Sequence, residues 1–174
     1  GRSVLHLPIS VLQRKINQEV SMSDALKGIY LFQDLTEKER QKIASLGAEK
    51  TWSPGQDVFF FFQKAESFYL VKMGSVKIYS TSQKGDDINL IQFGTGSHFG
   101  EIPFLDSQTR SATASPTEPT TLIEIRYDKF KALLDGDTAL AAKVYQNFAK
   151  SLSVRLRNTT ENLQHAKEQK LRIA

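Results

Sequence analysis

Glu101, among apolar neighbours, and a single arginine, Arg110, stand in a stretch from Gly94 to Ala114 that has too little apolar alternation for a strand and too much Gly, Ser and Thr for a long helix. A loop of this composition is built to hold a ligand. Gly96 and Gly100 let backbone approach a ligand closely, and a short helical turn starting near Gly100 aims free amide donors at an anion. Arg110 supplies a planar fork of donors suited to two phosphate oxygens, and an ionised Glu101 accepts from hydroxyls such as those of a ribose. Sugar plus phosphate reads as a nucleotide. The competing reading of the same two side chains is a structural ion pair under a surface loop.

Composition removes several other chemistries. The chain has no Cys, which excludes disulfides, thiolate metal sites, iron–sulfur sensing and cysteine nucleophiles, and is compatible with a reducing cytoplasm. His6, His98 and His165 lie far apart in unlike contexts, so neither a metal site nor a cofactor is expected. Hydrolysis of a phosphate ester needs a metal, or a positioned base and water. Near Arg110 the chain offers Glu101 and Asp106 with no His or second acid at useful spacing, so no catalytic residue is assigned and a binding protein is expected rather than an enzyme. The net charge of +4 is spread along helices rather than gathered into a run, which reads as solvated faces and not as a nucleic-acid footprint. No apolar run approaches the ~20 residues that span a bilayer, and the N-terminus lacks a charged-then-apolar signal pattern. A soluble cytoplasmic protein without membrane contact is expected, in which the sequon at Asn158 has no meaning.

The elements that position the loop follow from periodicity. At 174 residues the chain is long enough for one domain with an appendage. Pro8 opens a helix with Ile9, Leu12, Ile16 and Val20 at helical spacing, giving an N-terminal extension over residues 1–22. Ser23-Asp24 caps a short helix from Ala25 to Tyr30, and Thr36 with Glu39 is a capping-box start for a second, ending at Gly47. Leu31, Phe32 and Leu35 form the apolar joint between them.

From Trp52 the period changes to that of strands, at Val58 to Phe62, Phe68 to Met73, Val76 to Ile78, Ile88 to Phe93 and Leu122 to Ile125. The row of four Phe from Phe59 to Phe62 lacks the interleaved basic residues of a single-strand binder, so it is expected in the core. Turn signals about every ten residues between short strands are the pattern of a sandwich or barrel rather than of βαβ units. The fold class is therefore α+β, an antiparallel β-roll of jelly-roll type over residues 23–136 with flanking helices. Asp128 caps a helix through Leu134, and Gly136-Asp137-Thr138 separates it from a long helix, Ala139 to about Leu171, that makes up most of residues 137–174. Along it Tyr145, Ala149, Leu152, Leu156, Thr159, Leu163 and Ala166 recur at spacings of four and three, a heptad-like seam that a single amphipathic helix against the roll would also show but whose length favours a partner helix.

Phe99-Gly100-Glu101-Ile102-Pro103-Phe104-Leu105 followed by Arg110-Ser111-Ala112-Thr113 resembles the phosphate-binding cassette of cyclic nucleotide-binding domains. The resemblance runs over roughly residues 30 to 165, with Pro54-Gly55, Phe68-Tyr69-Leu70-Val71, Gly74-Ser75-Val76, Gly94 and Phe130 at familiar places. It implies that Glu101 takes the ribose 2′-hydroxyl and Arg110 the cyclic phosphate, in a site shared with Phe99, Gly100, Ile102, Ser111 and Ala112. Further on, Arg155-Leu156-Arg157-Asn158-Thr159-Thr160-Glu161-Asn162-Leu163 is similar to the dimer helix of the catabolite activator protein family. That likeness implies a homodimer in which Thr159 and Thr160 reach the adenine, one from each subunit. In the same family a helix-turn-helix domain follows, and none can be placed here, so no DNA contact is expected from this chain alone.

Two departures stand out. Pro103 occupies a place where the family usually has a small residue with an amide donor, which removes one phosphate contact. Gln63-Lys64-Ala65-Glu66-Ser67 lacks the glycines common in that turn, so the loop must bend without them. The implied function is a cyclic nucleotide sensor with cAMP as first ligand and cGMP as second, since the Ser111 hydroxyl suits either a phosphate or a guanine amino group. The alternatives are an adaptor or oligomerisation domain with an empty cassette, and the regulatory fragment of a larger transcription factor or enzyme.

Overall fold

The computed structural model of the protein describes residues 22–82 and 84–173 together with 8, 10 and 11. The helix expected through Ile9, Leu12, Ile16 and Val20 lies outside the described residues, apart from helical Ser10 and Val11. The next helical stretch spans residues 22–27, earlier than the sequence signals place it, because Met22 and Leu26 are drawn into the core. It stops at Gly28, and a separate 3-10 turn, Tyr30–Phe32, begins where the Tyr30 N–H leaves the helix to bond the Gly96 carbonyl at 3.0 Å. Helix α1, Glu37–Ala44, carries the expected capping box, with Thr36 accepting from the Glu39 N–H and the Glu39 carboxylate accepting from the Thr36 N–H.

Seven strands follow: β1 Gly47–Trp52, β2 Ser67–Met73, β3 Ser75–Thr81, β4 Asp87–Gly94, β5 His98–Phe99, β6 Thr113–Pro116 and β7 Thr120–Arg126. They form two antiparallel sheets, ordered β1-β7-β2-β5 and β4-β3-β6, which is the α+β roll the turn spacing implies. A dry core fills the space between the sheets around Tyr69, Val71, Val76, Phe93, Phe99 and Leu122. A second core packs the first sheet against the helices through Phe68, Ile123, Phe130 and Phe148.

The Phe row departs from expectation. Val58 and Phe59 are buried, and Phe59 makes a single bridge to Ala114, but Phe60, Phe61 and Phe62 are 57%, 54% and 71% exposed. Hydrogen bonds to other parts of the chain override the strand propensity here. The Phe61 N–H donates to Thr113 Oγ1, the Phe62 N–H to the Arg110 carbonyl, and the Arg110 N–H to the Gln63 carbonyl. Phe62 takes φ 65°, so the bend expected in the glycine-free loop falls on a phenylalanine one residue earlier.

After β5 comes a short helix α2, Ile102–Asp106, and after β7 come α3, Tyr127–Asp135, and α4, Thr138–Ile173. The expected Asp128 cap is not formed. Arg126 is the N-cap of α3, without a side-chain cap bond, and Asp128 sits in the first turn, where its charge still favours the positive helix end. The N-terminal half of α4 is anchored through buried Leu140, Val144 and Phe148, while Leu156 and Leu163 remain 68% and 55% exposed on the half that leaves the roll. The roll therefore does not cover the far part of the heptad-like seam.

Candidate functional site

Chain reversal after β5 builds the site. Gly100 adopts φ 79°, α2 follows, Ser107 ends it at φ 60°, and the chain returns through Arg110 to β6. The reversal encloses a cavity of about 340 Å3, within the usual size of small-molecule sites. Its walls are the loop residues Gly100 to Pro103 and Arg110 to Ala112, the apolar roll residues Phe59, Ile78, Leu90, Ile91, Phe93 and Phe99, and Arg155 and Thr159 of α4. Of the residues assigned from the sequence, Phe99, Gly100, Glu101, Ile102, Arg110, Ser111, Ala112 and Thr159 line this cavity. Thr160 does not; about 100° further round the helix, it lines a surface groove with Leu163 and Lys167.

Arg110 is buried, and its guanidinium lies 3.9 Å over the Phe59 ring. Nη1 donates to the Gly100 carbonyl at 2.9 Å and to the Tyr127 hydroxyl at 3.2 Å, and Nη2 donates to the Ser67 carbonyl at 2.6 Å. Nε is buried with no hydrogen-bond partner among the described residues. Tyr127, whose hydroxyl also donates to the Gly100 carbonyl, has its phenol pushed up to about 12 by burial. A Cβ on residue 100 would lie 2.8 Å from Arg110 Nη1, so glycine is required there both for its φ and for this approach.

Glu101 is fully buried and does not pair with Arg110 as the competing reading supposed. Its Oε1 accepts from Arg155 Nη1 at 2.5 Å, and its Oε2 has no hydrogen-bond partner among the described residues. Burial pushes the Glu101 carboxyl up, and the adjacent Arg155 opposes that push. Arg155 also donates from Nη2 to the His98 carbonyl at 2.6 Å and lies 4.5 Å over the Phe93 ring. Sequence reasoning did not assign it to the site. The available signal was its position four residues before Thr159, which puts both side chains on one helix face.

His98 is also buried, with Nε2 3.4 Å from Ser151 Oγ, and burial followed by the charge of Arg155 pushes it down to about 3. The unfolded chain therefore binds the imidazole proton more readily than the fold does. This stability is fully present above the ordinary histidine value and is lost as pH falls from there toward about 3. Between pH 7.5 and 5.0 the loss is about 2 kcal/mol. Urea unfolding at both pH values, on wild type and His98→Gln, isolates the effect from Glu101, whose raised carboxyl works in the opposite sense. An equal pH dependence in the two proteins would mean that His98 protonates freely within the fold.

Among the described residues no cluster of three His, Asp or Glu is placed to hold a metal, and no helix is long and apolar enough to cross a membrane. What remains is a nucleotide-sized cavity with a buried acceptor and a buried donor. Residues 49–137 match the family model of the cyclic nucleotide-binding domain. The chain belongs to this family. The reversal from Gly100 to Ala112 lies within the matched residues.

The cyclic AMP receptor protein of Thermus thermophilus is 30% identical over 132 residues, 76% of this chain and 59% of that protein. The cAMP-dependent protein kinase regulatory subunit of Blastocladiella emersonii is 22% identical over 139 residues, 80% of this chain and 34% of that protein. Among solved structures, the Thermus thermophilus catabolite activator protein superposes with a TM-score of 0.68 at 28% identity, covering 79% of this chain and 63% of that one. The regulatory domain of Toxoplasma gondii PKA with cAMP superposes at 0.69 and 18% identity, over 79% and 51% of the two chains, a likeness of fold. The chain thus spans 59% and 34% of the two curated relatives named.

Proposed function

We propose that this cyclic nucleotide-binding domain is a non-enzymatic regulatory module that binds cAMP, with cGMP the alternative ligand, and passes occupancy to α4. The observation that carries the reading is the pair of unsatisfied buried polar atoms in one cavity, Glu101 Oε2 and Arg110 Nε. Buried polar groups are otherwise bonded, so each points to a missing partner. An acceptor suits a ribose hydroxyl, a charged donor suits a cyclic phosphate, and the apolar walls at Leu90, Ile91 and Phe93 suit a base directed toward Thr159. Because Glu101 is held by Arg155 of α4, a ligand on Glu101 touches the cassette and the long helix together. Such a ligand shifts the helix by its differential affinity for two placements of α4.

Calorimetric titration with cAMP and cGMP tests the module. About 22 heavy atoms at ~0.3 kcal/mol each give a dissociation constant near ten micromolar for cAMP. No saturable heat with either nucleotide at several hundred micromolar would leave the adaptor reading in its place.

The module acts as a parallel homodimer. Leu152, Leu156 and Leu163 supply the seam, and two-fold symmetry offers Thr160 of each copy to the other's cavity while Thr159 serves its own. Light scattering should give a dimer at tens of micromolar for wild type and a monomer for Leu156→Glu. A monomer in both proteins would remove the seam from the argument.

A further inference from the structure

We propose that the turn at residues 60–63 is a lipid-facing anchor, whose phenylalanines enter the interface of a bilayer and hold the domain at its surface. The inference goes beyond the nucleotide reading and does not rest on it. Peripheral contact of this kind needs no spanning segment, and it replaces the expectation that the chain meets no membrane.

The turn carries two costs at once. The Gln63 N–H donates to the Phe60 carbonyl at 3.2 Å, which closes a β-turn with Phe61 and Phe62 at its two central positions. Phe62, at φ 65°, occupies the place that a type II turn gives to Gly or Asn, so its backbone is strained. Phe60, Phe61 and Phe62 are all more than half exposed, and the Phe61 and Phe62 rings meet edge to face at 4.5 Å. Strain and exposed aromatic surface at one site mark side chains kept for something outside the fold.

Area and hydrogen bonding decide what that is. The three rings expose roughly 300–450 Å2, well under the ~800 Å2 that each side of a stable protein interface buries. A bilayer needs no such matching area. The N–H groups of the turn are bonded within the protein, Phe60 to Gln63 Oε1 at 3.0 Å, Phe61 to Thr113 Oγ1 at 3.1 Å and Phe62 to the Arg110 carbonyl at 2.9 Å. A segment that leaves water must carry its backbone donors already satisfied. The Phe61 and Phe62 carbonyls accept from no donor among the described residues, and their need for headgroup water limits the rings to the interface.

The contact is apolar in origin. Residues 58–63 carry no charge, and Lys64, which follows them, lies 3.4 Å from Glu66, which offsets it. The Arg110 N–H also donates to the Gln63 carbonyl at 3.0 Å, so the turn is tied to the cassette strand in both directions. The rings are thereby presented without the ordering cost of a loose loop.

The test is cosedimentation of the full chain, without nucleotide, with vesicles of phosphatidylcholine alone and of phosphatidylcholine mixed with phosphatidylglycerol. Wild type should partition onto both within about threefold, and Phe61→Ser/Phe62→Gly should lower partition onto both by about tenfold or more. Phe62→Gly alone removes one ring together with the strained φ. It should bind vesicles more weakly than wild type while withstanding at least as much urea, which separates lost anchoring from lost folding. Wild type that stays off both kinds of vesicle would overturn the inference. So would binding confined to the anionic vesicles and unchanged in the double variant, which would place the contact on basic side chains elsewhere. Self-association of wild type that the double variant abolishes, with no vesicle binding, would assign the turn to a second copy instead of lipid. Because no nucleotide is present, each of these results stands whether or not cAMP binds the cavity.

Discussion

Arg110→Ala lowers affinity for cAMP by about a hundredfold or more, ~3 kcal/mol, when titrated against wild type by calorimetry. Two losses combine. The phosphate is left in a buried, largely apolar cavity without its charged partner, and the loop loses the guanidinium that ties the Gly100 and Ser67 carbonyls together under Phe59. Arg110→Lys separates them. It keeps one positive charge but cannot bond both carbonyls while presenting Nε, so it should recover only part of the affinity. An Arg110→Ala protein that is folded and binds as tightly as wild type would show that the phosphate does not lie at this end of the cavity.

Arg155→Ala destabilises the fold by about 3 kcal/mol at pH 8, because it leaves the fully buried Glu101 carboxylate without the one cation partner it has among the described residues. The pH dependence identifies the cause. Burial already raises the Glu101 carboxyl above its unfolded value, and removing Arg155 removes the largest opposing influence. A group whose folded value is raised contributes stability at low pH and loses it as pH rises through that value. The variant should therefore recover part of its deficit as pH is lowered over a window above the ordinary carboxylate range. Because Arg155 also helps hold His98 down, urea unfolding at pH 8 and pH 5.5 is run in the His98→Gln background, with Arg155→Lys as partial rescue. A deficit that is the same at both pH values would point to lost packing over Phe93 instead of an unpaired charge.

Several parts of the molecule are legible from the chain because their causes are local. The capping box at Thr36 and Glu39 involves residues three apart, and it forms as read. The long helix is announced by its own spacing and begins at Thr138, just after Gly136-Asp137, with the Asp137 carboxylate accepting from the Leu140 N–H. The cassette residues fall together because Phe99 to Ala112 is one continuous reversal, whose glycine at 100 and apolar–acid–apolar order carry the information within a few residues.

What the sequence left undetermined depends on partners far along the chain. Strand β1 has no alternation to reveal it, since its residues are mostly exposed, and it exists because Gly47 to Trp52 pairs with Ile125 to Thr120 of β7. The run Val58 to Phe62 carries strong strand propensity, yet its backbone donors are taken by Thr113 and Arg110, so three phenylalanines face solvent. The charge partner of Glu101 is the clearest case. Sequence proximity offered Arg110, nine positions on by their numbers, but the carboxylate turns instead to Arg155, because α4 crosses the mouth of the cavity and Arg110 is already held by two carbonyls. Residue types and local spacing determined that this protein has a donor, an acceptor and a long helix. Only the packing of α4 against the roll decided which cation meets which anion, since that contact spans more than fifty residues of chain and leaves no periodic trace in the sequence.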